Sequence, residues 1–294
     1  VALSYPDWIV DLFVAELGES DARGVLVAGN LPGVLTLRPQ IGRTTAQELT
    51  DELSAEGIKV ERGELVPEAL LVTGTGDPGT LPAVASGRAT PQDQASQAVV
   101  DYLDPQPGDR VLDVAAAPGG KTTAIAGAVG PKGFVFALDT NSGRLRLVRE
   151  AALRLGLTIE TAVADGTNLP LRPGGFNRIL VDAPCSGLGV LRRRPDARWR
   201  IQFEDIAPLA ALQEQLVLAA IDNLALGGVL VYSVCTLTKA ETLGVAERVL
   251  AKRPDLKALA PPASPWRRWG PGAILFPQAA STDGMFVLGL TRPE

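Results

Sequence analysis

The chain has 294 residues, 46% hydrophobic and 21% charged, with two cysteines and no histidine. That composition is globular and excludes disordered, collagen-like and disulfide-stapled classes; two cysteines suit a reducing, cytoplasmic setting. The net charge is −5, but residues 1–88 hold 6 Lys/Arg against 13 Asp/Glu and the remainder 22 against 20, so a polyanion should meet the second part first.

Without histidine there is no Ser-His, Cys-His or His-metal chemistry, and two cysteines alone cannot build a structural zinc site, so no metal is expected. The longest informative uncharged run, 16 residues between Asp222 and Lys239, is interrupted by Gly227-Gly228. A bilayer span needs about 20 apolar residues, so no membrane partner is expected. No signal peptide opens the chain. Val1 as first residue and Met285 as sole methionine suggest a piece of a longer chain.

Residues 5–17 space Trp8, Leu12, Phe13 and Leu17 as one amphipathic helix beginning after Pro6. Residues 33–38 predict a strand, and Thr44 a cap for a helix running to about Glu56 and closed by Gly57. Short strands follow near 58–60 and 69–73. The Gly/Pro-rich stretch 74–87 reads as a linker or long loop. This organisation makes 1–88 a small α+β module with its linker.

From Thr90 the pattern becomes strand–helix alternation. A helix at 92–103 precedes a strand at 110–116, a Gly-rich turn and a helix near 120–128. Strands at 134–139, 161–165, 178–184 and 229–235 follow, with helices at 141–155 and 207–225. The spacing predicts an α/β fold with a parallel, doubly wound sheet over 89–294, its ligands at the carboxyl ends of the strands. A late strand at 285–291 is expected to pair antiparallel at an edge.

The turn AAAPGGKTT (115–123) follows a strand and opens a helix, where glycines let a nucleotide-like ligand approach the backbone. A P-loop would need glycine where Ala115 stands, and the dinucleotide fingerprint GxGxxG is absent. Asp139 ends the next strand, placed for ribose hydroxyls, and Asp165 ends the third, placed for a base amino group. An open adenosine-type site without a P-loop points to S-adenosylmethionine.

Both cysteines fall at strand carboxyl ends, in Asp182-Ala183-Pro184-Cys185-Ser186 and Ser233-Val234-Cys235-Thr236. Carbon 5 of a pyrimidine is a poor nucleophile until a thiolate adds to carbon 6, which explains a thiol beside a methyl donor. An ordinary cysteine pKa is about 8.5, so activation must come from a cation or local dipoles. Lys121 is the candidate cation, and Asp182 the group to bind and help protonate nitrogen 3. In RRRPDARWR (192–200), Arg192, Arg193, Arg194 and Arg198 with Trp199 suggest a phosphate-gripping loop carrying a stacking ring. The set Arg144, Arg146, Arg149 and Arg154 is open between function and helix surface. Gln92-Asp93-Gln94 reads as a helix cap.

PQDQAS (91–96), DVAAAPGGKTT (113–123), FALDTNSGRL (136–145), VADGTNLP (163–170), DAPCSGLGVLRRRPDARW (182–199) and VYSVCTL (231–237) resemble, in order, the motifs of the RNA cytosine-C5 methyltransferases. The nearest resemblance is to the bacterial rRNA enzymes of the RsmB/Sun (Fmu) type, and STDGMFVLGL (281–290) resembles their last strand. The resemblance implies a Rossmann-like S-adenosylmethionine-dependent sheet behind a small N-terminal α+β domain with an RNA-recognition role. It implies RNA as partner, 16S rRNA first and tRNA as the alternative.

The resemblance also assigns roles. Ala115, Ala116, Ala117, Pro118, Gly119, Gly120 and Lys121 would form the cofactor loop. Asp139 would hold the ribose, Asp165 lie near the adenine and Asp182 stand at the transfer site. Cys235 falls on the nucleophile and Cys185 on the cysteine that releases product. In the DNA C5 enzymes the Pro-Cys motif supplies the nucleophile, so local sequence leaves the order of roles open. Val234, Ala115 and Thr242 stand where the family commonly has Thr, Cys and Asn. A non-catalytic RNA-binding assembly factor retaining the cofactor pocket is the rival class.

Overall fold

The structure, a computed structural model, describes residues 3–293. Helices α1 (Asp7–Leu17) and α2 (Glu19–Ala28) come first. Strand β1 (Leu35–Pro39), helix α3 (Ala46–Ala55), β2 (Lys59–Arg62), β3 (Leu70–Thr73), short helix α4 (Pro82–Ala85) and β4 (Ala89–Pro91) follow. The four strands form an antiparallel sheet in the order β2-β3-β1-β4. Leu37, Leu70 and Val72 of that sheet pack on Leu49 and Leu53 of α3.

Then come α5 (Gln94–Leu103), β5 (Arg110–Asp113), α6 (Gly120–Val129), β6 (Phe134–Asp139), α7 (Ser142–Leu155), β7 (Glu160–Val163) and β8 (Phe176–Asp182). A four-residue α8 (Ala197–Arg200), α9 (Ile206–Ile221), β9 (Leu224–Val234), α10 (Leu243–Lys252), β10 (Lys257–Ala258), β11 (Arg267–Trp269), β12 (Gly272–Leu275) and β13 (Met285–Thr291) complete the chain. The large sheet runs β11-β12-β13-β9-β8-β5-β6-β7, with β10 paired to β13. The five strands from β9 to β7 are parallel.

Strand alternation explains how helices cover both faces. Ile179 and Val181 of β8, with Leu230 and Tyr232 of β9, pack on α9 and α10 through Val217, Ile221, Val245 and Val249. The intervening Leu180 and Val231 face Val99, Leu103, Ile125 and Val129 of α5 and α6. Successive side chains of a strand point to opposite faces, so strands apolar at every position belong between two helical layers. Parallel pairing also brings every carboxyl end to one edge, where the site lies.

Several expectations need correction. The α3 cap is Thr45, whose hydroxyl accepts from Glu48 N while Glu48 Oε2 accepts from Thr45 N; the expected Thr44 lies one residue too early. Residues 74–80 form the expected loop, but 81–87 are packed: Pro82 opens α4, a first-turn position that tolerates proline, and Leu81, Ala83 and Val84 are buried. Strand β13 does not lie at an edge. It sits between β12 and β9 with Met285, Phe286, Val287 and Leu288 buried, because the β11–β12 hairpin adds outside it.

Helices α1 and α2 pack through Ile9, Phe13, Val25 and Leu26 against Leu188, Leu191, Leu237, Ile274 and Phe276 of the later chain. The small sheet continues through β4 to Pro91, past residue 88. Helix α2, helix α10 and the β11–β12 hairpin were not anticipated; α2 carries an interior glycine, a weak helix former.

Candidate active site

The β5–α6 turn closes tightly because Gly119 adopts φ +105°, and a Cβ there would stand 3.0 Å from Val148 Cα. A side chain at this position would meet both backbone strain and α7. The turn carries Ala115, Ala117 and Pro118 along one wall of a cleft of about 430 Å³, while Ala116 faces a neighbouring cavity. The cleft's other walls include Asp139, Asp165, Asp182, Cys185 and Cys235, with Val114, Pro184, Leu212 and Leu216 supplying apolar surface. That second cavity, of about 320 Å³, shares Ala115, Ala117, Pro118 and Asp182 with the first and is bounded beyond them by Lys121, Thr36, Gln92, Asp93 and Asp283.

Asp139 is buried and accepts from Ala117 N at 3.3 Å and Asn141 N at 2.9 Å. Arg144, open between two readings in the sequence, donates to Ala117 O at 2.6 Å and so braces the same turn. Asp165 accepts from the backbone N and hydroxyl of Thr167, hydrogen bonds that hold its carboxyl below the usual range. Gly166 is required by close packing, since a Cβ would lie 2.6 Å from Val114 Cγ1.

At the end of the cleft that carries the cysteines, Lys121 Nζ lies 2.7 Å from Asp182 Oδ2, and Ser233 Oγ donates to Asp182 Oδ1 at 2.7 Å. Burial works to lower the Lys121 pKa, but the Asp182 carboxylate outweighs it and the net shift is upward. Lys121 is therefore a fixed cation. The Cys185 and Cys235 sulfurs are 3.4 Å apart. Either thiol can donate across this contact; the hydrogen bond to Cys235, with burial, raises Cys185 well above its ordinary value, and the same hydrogen bond lowers Cys235, with Lys121 adding to the lowering. This asymmetry makes Cys235 the readier thiolate, a choice that local sequence left open.

Sequence reasoning missed several groups here. Ser233 lies two residues before Cys235 on the same strand, a spacing that period-2 alternation makes visible. Asp113, 1% exposed, accepts from Thr122 Oγ1 at 2.7 Å, and burial raises its pKa to about 7. Its other oxygen has no partner.

The arginine loop departs from the expected solvated grip. Arg192 is buried and donates to Thr282 O and Pro32 O. Arg193 binds Asp93 at 2.6 Å, Asp283 at 3.1 Å and Val34 O at 3.0 Å. Arg198, 5% exposed, donates to Ser4 O, Asn30 Oδ1 and Gly29 O and lies over the Tyr5 ring. These three fasten the first 34 residues to the large domain, which commits their donors to carbonyl and carboxylate oxygens rather than to a phosphate. Arg194 and Trp199 remain exposed, Trp199 by 60%, and Arg194 lines the cleft with Arg200. Asp93 caps α5 as expected, accepting from Ala95 N at 2.9 Å.

Residues 100–291 match the family model described as 16S rRNA methyltransferase RsmB/F. The chain belongs to the RsmB/F family. Residues 5–77 match the ferredoxin-like domain that accompanies RsmF/B-like methyltransferases. The chain is 36% identical over 302 residues to the probable ribosomal RNA small subunit methyltransferase B of Bacillus subtilis, covering 98% of this chain and 66% of that one. It is 35% identical to ribosomal RNA small subunit methyltransferase B of Vibrio cholerae, covering 98% and 65%. The chain thus spans less than two thirds of the length of these RsmB relatives.

Among solved structures, PH0851 aligns with a TM-score of 0.94 at 28% identity, over 98% of this chain and 66% of that one. NSun6 of Pyrococcus horikoshii, solved with SFG, aligns with a TM-score of 0.90 at 23% identity over the full length of both chains, a likeness of fold. The RsmB/F sheet is accordingly a Rossmann-like methyltransferase fold preceded by a small ferredoxin-like domain. Among the described residues no helix is long and apolar enough to cross a membrane, and no cluster of three or more His, Cys, Asp or Glu is arranged to hold a metal.

Proposed function

We propose that this chain transfers a methyl group from S-adenosylmethionine to carbon 5 of a cytosine in 16S rRNA, through a covalent bond between Cys235 and carbon 6. The observation that carries this reading is the pair of sulfurs 3.4 Å apart on the wall of a cleft that also carries Asp139, Asp165 and Asp182. The cleft fits the donor: Val114, Leu212 and Leu216 offer apolar surface to a flat base, and Asp165 and Asp139 offer acceptors for amino and ribose hydroxyl groups. Bound there, S-adenosylmethionine supplies an electrophilic methyl group.

Cys235, with its pKa lowered, adds to carbon 6 and makes carbon 5 nucleophilic. Asp182, held between Lys121 and Ser233, is oriented to bind the ring and steady the proton acquired at nitrogen 3. After methylation the carbon 5 proton passes to water, the nitrogen 3 proton passes to solvent through Asp182, and the carbon 6–sulfur bond breaks, returning its electron pair to Cys235. Cys185 is the neighbour that assists this elimination. The base must leave its stack to admit a thiol to one face. Arg194 and Arg200 border the cleft, and with the exposed Trp199 they are the groups proposed to meet RNA, while the small N-terminal domain contributes recognition.

The test is bisulfite mapping of 16S rRNA and tRNA from cells with and without the gene, with in vitro transfer to the unmodified RNA. Loss of one 16S rRNA 5-methylcytosine, restored by the purified protein, is expected. Loss confined to tRNA would move the substrate, and an unchanged map with no transfer in vitro would overturn the activity.

A further inference from the structure

Glu241 has no solvent exposure, and the chemistry above does not use it. Its carboxylate nevertheless accepts five hydrogen bonds. Oε1 takes Ser186 N at 2.8 Å and Gln213 Nε2 at 3.0 Å. Oε2 takes the hydroxyls of Ser186 at 2.6 Å, Thr238 at 2.9 Å and Thr236 at 3.3 Å. A buried carboxylate is costly unless its lone pairs are satisfied, and here both oxygens are.

The donors are not scattered. Ser186 directly follows Cys185 and Thr236 directly follows Cys235, and their hydroxyls also meet at 2.7 Å. Gln213 of α9 donates to Pro184 O as well, on the other side of Cys185. Tyr232, three residues before Cys235 in β9, donates to Glu241 O at 2.6 Å and Gln213 Oε1 at 3.0 Å. One anion therefore ties together the loops carrying the two sulfurs. Its negative charge also opposes ionisation of Cys185, whose pKa is raised.

We propose that Glu241 is the positioning residue for the thiol pair, holding the two cysteine loops in register and setting its negative charge behind them. It touches neither sulfur, and it acts through Ser186 and Thr236. A glutamine side chain has nearly the same shape but offers one acceptor oxygen, so it cannot receive five donors, and it carries no charge. The consequence for catalysis rests on the covalent reading above, whereas the thiol asymmetry itself does not.

The experiment is pulsed iodoacetamide alkylation of the whole chain between pH 6 and 9, with each cysteine followed separately by mass spectrometry. In the parent protein Cys235 is expected to react at least about tenfold faster than Cys185 at pH 7.5, the thiolate being the reactive form. In Glu241→Gln that ratio should fall at least about fivefold, with the Cys185 profile moving to lower pH. Thr238→Val, which removes one donor and leaves the charge, should shift the ratio less. If Glu241→Gln does not give a folded circular dichroism spectrum, Ser186→Ala, which cuts the hydroxyl link between Glu241 and the Cys185 loop while leaving the charge, tests the positioning half: the ratio should fall by more than in Thr238→Val. A folded variant that melts earlier but keeps the parental ratio and profiles would overturn the proposal. Loss of methyl transfer by the parent with its thiol asymmetry intact would strike the proposed function and leave this one standing.

Discussion

The sulfur of Cys185 lies 3.4 Å from that of Cys235, although 50 residues separate them in the chain. The two thiols are unequal, Cys185 raised and Cys235 lowered in pKa, and so their removal should have opposite effects. Cys235→Ala is expected to abolish methyl transfer and adduct formation while cofactor affinity stays within a few-fold. Cys185→Ala should accumulate a protein–RNA adduct, read as a retarded band on a denaturing gel. An adduct that requires Cys185 and forms without Cys235 would exchange the two roles.

Lys121 serves both Asp182 and Cys235, so Lys121→Met should cost more than a single hydrogen bond. Removing the buried cation leaves Asp182 unpaired and withdraws part of the pull on the Cys235 proton. The alkylation profile of Cys235 is expected to move to higher pH, and turnover to fall by about 10²-fold or more, the scale of a lost acid–base partner. An unmoved profile would show that Cys185 alone activates the nucleophile.

The arginine loop divides into two groups that different assays can separate. Arg193→Ala leaves Asp93 and Asp283 facing each other without their shared cation, and should lower stability by about 3–5 kcal/mol in urea titration. Arg194→Ala should leave the urea midpoint nearly unchanged but reduce the salt dependence of RNA binding. An equal salt slope for Arg194→Ala would take that side chain off the RNA path.

Stability should depend on pH between 5.5 and 7.5, a window in which no histidine titrates because the chain has none. Burial raises Asp113 and Asp283 to about 7, above the ordinary aspartate value of about 3.9. The folded state then holds protons that the unfolded chain has released. Their contribution is fully present below the unfolded value and is lost as pH rises through the folded one. The urea midpoint should therefore decline from pH 5.5 to 7.5, by at most about 1.4 kcal/mol per pH unit and group. Asp113→Asn should flatten the decline, and a slope equal to the parent's would exclude Asp113 as its source.

The sequence by itself determined the order of the parallel strands along the chain, although β5, β7 and β8 end at Asp113, Val163 and Asp182, two or three residues before the expected 116, 165 and 184. It therefore put Asp139, Asp165, Asp182, Cys185 and Cys235 on one edge, because strand period and motif order are local properties that parallel pairing carries directly into space. It did not determine which arginines face water. Arg192 and Arg198 look like their neighbours in RRRPDARWR, and only the packing of Pro32, Ser4 and Gly29 over them makes them internal fasteners. Nor did it single out Glu241, whose five donors come from three separated segments. The unequal protonation of the cysteines was likewise a tertiary outcome, since a hydrogen bond between residues 50 apart exists only once the sheet has brought their strand ends together.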